Sequence, residues 1–182
     1  MIDFLKWATG RTPEAAWAEC PRGDWLLEHA AKAGVDRRLL VLAAAACARL
    51  TLQIVPAGET SPLAVIEAAE AWTRSEVSVD GVRSAAERAR DTYDAAHWAP
   101  CGGWRNAPCW KSGFYTAYLA AACAFLEGEE LVEAAGRAAY WAASTISLGC
   151  SAADPAYAAA EQETARQVRV LIPALPNAGG GK

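Results

Sequence analysis

Asp36-Arg37-Arg38-Leu39-Leu40-Val41-Leu42-Ala43-Ala44-Ala45-Ala46-Cys47-Ala48-Arg49 is a run without glycine or proline, and a carboxylate stands at its head. Alanine and leucine are strong helix formers, and an aspartate before the first turn accepts its orphaned amides, so the run reads as a helix capped by Asp36. Apolar spacing continues it to about Gln53 and puts Leu39, Leu42, Ala43, Ala46 and Leu50 on one face, the expected core face. Val55-Pro56-Ala57-Gly58 then breaks it.

The same signals recur on both sides of this helix. Thr12-Pro13-Glu14 joins a capping hydroxyl, a proline at the first helical position and an acid, which predicts a helix from Pro13 to about Cys20 with a short one ahead of it. Asp24 is placed to cap Trp25 to Ala33, with Gly34 as the stop. Ser61-Pro62 opens a helix to about Arg74, and Ser78 opens another through Val82, Ala85, Ala86, Ala89 and Tyr93. Three more are expected from Ser112 to Leu126, Glu129 to about Leu148, and Pro155 to Ile172 behind Asp154. β-Branched residues never alternate with polar ones over a useful length, and Leu52-Gln53-Ile54-Val55 is the one doubtful piece. The expected fold is all-α: one antiparallel bundle of about seven helices over 1–176, followed by a disordered tail, 177–182.

Composition narrows the function. With 182 residues, 53% hydrophobic and 21% charged, the chain can bury a continuous core. A net charge of −4 argues against a nucleic-acid polymer as partner, which a basic face would attract. Two of the six cysteines, Cys47 and Cys123, fall inside alanine-rich helical patterns where a thiol serves as a small hydrophobe, so a reducing, cytoplasmic setting is expected. Met1-Ile2-Asp3-Phe4-Leu5-Lys6 lacks the form of a signal peptide, and no uncharged apolar stretch reaches the roughly 18 residues of a membrane span. No cofactor motif stands out.

The densest chemistry lies in His97-Trp98-Ala99-Pro100-Cys101-Gly102-Gly103-Trp104-Arg105-Asn106-Ala107-Pro108-Cys109-Trp110-Lys111, read as an irregular Trp/Cys/Gly loop because its glycines and prolines deny it a regular helix. Trp98, Trp104 or Trp110 can stack on a planar ligand while Arg105, Lys111 or His97 meets its anionic part; the plainer alternative is a connection whose indoles plug the end of the bundle. Cys101 and Cys109 can be read as a disulfide, or with His97 as a zinc site, but their spacing differs from structural zinc pairs and a fourth ligand is missing, so no metal is expected. A cysteine nucleophile with His97 as base has the right residue types and no third group. Arg37 and Arg38 stand where the helix dipole disfavours cations; Asp36 is the ordinary compensation, and the alternative is an anion-binding cleft shared with Arg49. His29, among Trp25, Leu26, Ala30 and Ala33, reads as a packed or edge histidine.

The succession from Val35 to Arg49, then Ser61-Pro62-Leu63-Ala64-Val65-Ile66-Glu67-Ala68-Ala69-Glu70-Ala71-Trp72, then Val82-Arg83-Ser84-Ala85-Ala86, resembles the alanine-rich immunity proteins of bacterial toxin loci and similar phage-encoded helical proteins. The likeness covers about residues 20 to 100, and Gln167-Val168-Arg169-Val170-Leu171-Ile172-Pro173 resembles how those proteins end; the Trp/Cys loop has no counterpart. The resemblance implies an α-helical protein that neutralises by binding and carries no catalytic residue. The expected function is therefore non-enzymatic sequestration of a small nucleotide-like ligand. The alternatives are direct inhibition of a toxin protein through an acidic or aromatic surface, and a Cys/His enzyme. Alanine-rich faces also favour a homodimer.

Overall fold

The fold follows from how small residues let helices approach a central one. In the computed structural model, which describes residues 4–98, 111–147 and 155–175, the elements in chain order are α1 (Phe4–Ala8), α2 (Pro13–Glu19), α3 (Gly23–Lys32), α4 (Arg37–Arg49), a 3-10 turn (Leu50–Ile54), α5 (Ser61–Thr73), α6 (Val79–Trp98), α7 (Lys111–Ala122), α8 (Gly128–Ile146) and α9 (Pro155–Leu171). The described residues are all-α and contain no strand, and none of their helices is long and apolar enough to cross a membrane. Among the described residues nine α-helices stand where about seven are expected. The doubtful segment Leu52 to Ile54 lies within the 3-10 turn. The 177–182 tail and the Asp154 cap lie outside the described residues.

Helix α4 touches α3, α5, α7, α8 and α9, so it is buried around most of its circumference. Its buried residues are Leu40, Val41, Ala43, Ala44, Ala45, Cys47 and Ala48. The expected core face is thus corrected: Leu39, 37% exposed, and the half-buried Leu42, Ala46 and Leu50 form the outward strip. Periodicity marks a face only when the opposite face is polar, and here both sides are apolar. The helix also ends earlier than Gln53, at Arg49. Leu50 tightens into the 3-10 turn, in which the buried Thr51 hydroxyl donates to the Ala48 carbonyl at 2.7 Å.

Capping behaves largely as the sequence implies. The Thr12 hydroxyl accepts from the Ala15 amide at 3.2 Å, Asp36 accepts from Arg38 N at 2.7 Å, and Ser78 Oγ accepts from Gly81 N at 3.2 Å. Gly34, with φ +74°, ends α3 by a pair of returning bonds, Gly34 N to Ala31 O and Val35 N to Ala30 O, both 3.1 Å. Asp24 and Ser61 depart from expectation. Asp24 lies inside α3 and holds Arg22 instead, and Ser61 is the first residue of α5, its amide taken by Glu59 Oε1 at 2.9 Å.

Where α3 begins, Gly23 runs directly against Thr164 of α9: a Cβ there would lie 2.6 Å from the Thr164 hydroxyl and 2.8 Å from its carbonyl carbon. Glycine is required by that approach, since backbone cannot yield as a side chain can. Gly23→Ala is expected to destabilise the fold by about 1–3 kcal/mol, the usual cost of overpacking a filled interface, as a lower urea midpoint with unchanged slope.

Candidate functional site

The residues singled out in the sequence fall into two regions. Helix α6 carries the chain to Trp98 and α7 opens at Lys111, so His97 and Trp98 are the closing turn of a helix rather than loop. Trp104, Arg105 and Trp110, with Cys101 and Cys109, lie outside the described residues, as do the side chains of His97, Trp98 and Lys111. Arg37 and Arg38 sit at the other end of α7. Arg37 reaches Glu127, just past the α7 terminus, at 3.7 Å, whereas Lys111 opens that helix about 17 Å away by helical rise. Arg38 donates to Ser75 Oγ at 3.1 Å, and Arg49 is clamped by both oxygens of Glu70 at 2.7 Å. The three arginines therefore do not converge on one anion. Beside them is a shallow groove of about 280 Å³, walled by Val35, Leu39, Ile172 and Leu175 with Asp36 at its rim.

The aromatic chemistry that is described lies on α6, α7 and α8. Tyr115 and Tyr118, one turn apart on α7, have ring centroids 6.1 Å apart and planes 17° from parallel. The Arg137 guanidinium of α8 lies over Tyr115 at 5.5 Å, and that of Arg90 on α6 lies over Tyr118 at 5.9 Å. Trp141, one turn beyond Arg137, meets Tyr115 edge-on at 5.9 Å, and Tyr140 meets Trp141 edge-on at 5.7 Å. Guanidinium, phenol, phenol, guanidinium thus form a ladder across three helices. The rings are half-buried, Arg90 is exposed and Tyr140 is 41% exposed. A further pair, Arg83 over Phe125 at 5.2 Å, sits two turns down the α6–α7 seam; one such step in the other direction leads to His97 and Lys111.

A cation over an aromatic face is held by the ring quadrupole and keeps its N–H groups for other acceptors. Arg137 uses one contact to Glu133 at 2.9 Å, and Arg90 one to Asp94 at 3.8 Å. Arg49, Arg74 and Arg166, by contrast, each lie bidentate on a carboxylate. The ladder therefore retains donor capacity beside stacking surface, the pairing that a planar anion requires. Sequence reading missed it because its residues lie on separate helices and attention fell on the 97–111 segment; the i, i+3 spacing of Tyr115 and Tyr118 and the i, i+4 spacing of Arg137 and Trp141 were the available signals.

Other reactive groups are quiet. Burial pushes the Cys47 and Cys123 thiols up to about 12, and Cys20 is also raised, first by burial, so these sulfurs are packing groups rather than nucleophiles. His29 stacks on Phe4 at 4.2 Å, and burial, then Lys32, lowers its pKa. No three metal-ligating side chains cluster among the described residues. Where α3 meets α9, Arg22 lies over Trp25 at 4.5 Å, is gripped bidentately by Asp24 at 3.0 and 2.5 Å, and comes within 3.4 Å of Glu161. Burial raises the Glu161 pKa, Arg22 opposing and Asp24 adding to the rise.

Compared with known proteins, the chain matches no family model, no curated protein and no solved structure.

A carboxyl whose pKa is higher folded than unfolded costs stability when ionised; the cost is complete above the folded value and vanishes below the unfolded one. Glu161→Gln, which keeps an acceptor for Arg22, is therefore expected to melt above the parent at pH 7, with the gap closing as pH falls through the carboxylate range. Calorimetry at pH 7 and pH 4 checks the sign.

Proposed function

We propose that the protein is a non-enzymatic neutralising protein, of the immunity or phage counter-defence kind, working as one antiparallel helical domain. It sequesters a small planar anionic ligand, such as a nucleotide-derived signal, against the α7–α8 face. The observation that carries this reading is the half-exposed ladder Arg137–Tyr115–Tyr118–Arg90 with Trp141 at its edge, which offers stacking surface and unsaturated guanidinium donors together. The Trp-rich segment joins α7 four residues before Tyr115. The likeness to alanine-rich immunity proteins agrees with binding rather than turnover, and the buried, raised thiols of Cys47 and Cys123 leave the described cysteines without nucleophilic character.

A second reading, direct occlusion of a toxin protein, is favoured by one specific feature: the exposed Tyr140, beside the half-buried Trp141 and Arg137, groups residue types that dominate protein interfaces.

Titration of the purified protein with mononucleotides, dinucleotides and nucleoside triphosphates separates the two. Expected is saturable quenching of tryptophan fluorescence by at least one compound, with a matching rise in Tm, and a loss of about tenfold in affinity for Arg137→Gln. Silence of both signals across the panel overturns the small-ligand reading in favour of the protein partner.

A further inference from the structure

Where α9 packs on α3 and α8, two polar groups of one helix face are left without a hydrogen bond. Arg22 Nε spends its single hydrogen on Asp24 Oδ1 at 3.0 Å, and Nη2 takes the other oxygen of that carboxylate. Glu161, 3.4 Å from the same Nε, is thereby attracted by charge but receives no hydrogen bond, although its side chain is only 18% exposed. One turn earlier on the same face of α9 stands Tyr157, 8% exposed, whose hydroxyl bonds to no described residue.

That hydroxyl belongs to the same cluster. Burial first, then the charges of Glu161 and Tyr140, push its pKa up to about 12, Arg22 opposing and Asp24 adding to the rise. Charges act this way only at close range, so the phenol oxygen lies toward Glu161, Asp24 and Arg22. Among the described residues Thr145 Oγ1 is the one fully buried side-chain oxygen without a partner, so the Tyr157 hydroxyl opens to solvent. A nearly enclosed carboxylate and phenol side by side, both unbonded, are exceptions to the rule that buried polar groups are satisfied. One guanidinium against the two carboxylates of Asp24 and Glu161 also leaves the corner one negative charge in excess.

We infer that Glu161 and the Tyr157 hydroxyl form a second binding site, which takes a primary alkylammonium group, either a free amine or a lysine of a partner protein. An ammonium has three donors radiating from a point and no acceptor, which suits two separate oxygens one turn apart. A guanidinium suits the site less, because it needs a paired carboxylate edge or a free ring face, and Arg22 already occupies Asp24 and the face of Trp25. Calcium or magnesium requires more oxygens than one carboxylate and a phenol supply. Tyr140, exposed and within electrostatic reach of Tyr157, provides an aromatic surface for the alkyl stem. The site is separate from the ladder, which presents cations rather than receiving them, and it stands whether or not the ladder takes a planar anion.

Calorimetric titration of the parent, Glu161→Gln and Tyr157→Phe with cadaverine, Nα-acetyl-lysine amide and Nα-acetyl-arginine amide tests it, against sodium chloride of equal ionic strength. Expected for the parent is saturable binding of an ammonium compound with a matching rise in Tm beyond that in salt, and weaker binding of the arginine amide. Glu161→Gln and Tyr157→Phe are each expected to lose about tenfold in affinity. Binding of the lysine amide assigns the site to a lysine side chain, and binding of cadaverine alone assigns it to a free amine. No binding beyond the salt control, equal affinity in parent and Glu161→Gln, or tighter binding of the arginine amide overturns the assignment. Both substitutions nearly conserve volume, and urea denaturation of each variant confirms that it is folded.

Discussion

The fold depends on how closely α4 can be approached. Five helices pack around it, and they fit because Ala43, Ala44, Ala45, Cys47 and Ala48 present little more than a methyl or thiol each. The neighbours follow the same rule. α8 buries Ala134, Ala135, Gly136, Ala138, Ala139, Ala142 and Ala143, and the glycines at 23 and 136 mark crossings where even a methyl would strike Thr164 or Glu28. Helix axes separated by such residues come nearer than leucine would allow, and backbone dispersion replaces side-chain interdigitation.

This choice has a cost elsewhere. An alanine methyl removes little apolar area, at about 25 cal/mol per Å², so a core of alanines needs additional anchors. The large rings supply them, Phe4 and Trp17 within the core and Trp25, Tyr115, Tyr118 and Trp141 packed against it. Phe4 packs α1 onto Trp17 and His29, and the Trp17 indole donates to the Ile172 carbonyl at 3.1 Å. Arg169 donates to the Cys20 carbonyl at 2.6 Å and Arg22 is bound between Asp24 and Glu161, so the α2–α3 corner is tied to α9 by polar links that a leucine core would not need. The α6–α7–α8 seam is held in the same manner, by guanidinium over ring.

Much of the fold was legible because helix signals are local. Thr12, Asp36, Ser78 and Gly34 act at the ends they imply, and the breaker between Val55 and Gly58 falls where the 3-10 turn stops. The failures share a cause: burial depends on neighbours that spacing cannot reveal. Leu39, Leu42 and Ala46 have the period of a core face and form the outward strip, because the alternative face is equally apolar and α4 is central. Arg37 and Arg38 read as cations offset by Asp36 or shared with Arg49 around an anion, yet Glu127 and Ser75, remote in sequence, take one each. The ladder was missed for the converse reason. Tyr115, Tyr118, Arg137 and Trp141 are spread over two helices and become a site only when those helices meet.

The same accounting separates the α7–α8 end, proposed above as the binding surface, from arginines whose acid partners already fill them. A guanidinium bidentate on a carboxylate has its planar fork filled, so a ligand anion must displace an acid to reach it. That is the state of Arg49, Arg74 and Arg166. A guanidinium lying on a ring is held by its face, and unless a carboxylate fills its fork, as Asp24 fills that of Arg22 over Trp25, its edge stays open for a new hydrogen bond. Arg137 and Arg90 are in that second state, each with a single acid contact. An anion arriving there gains charge-assisted bonds without breaking a strong one, and its planar part finds tyrosine and tryptophan already fixed by the packing that holds the helices together.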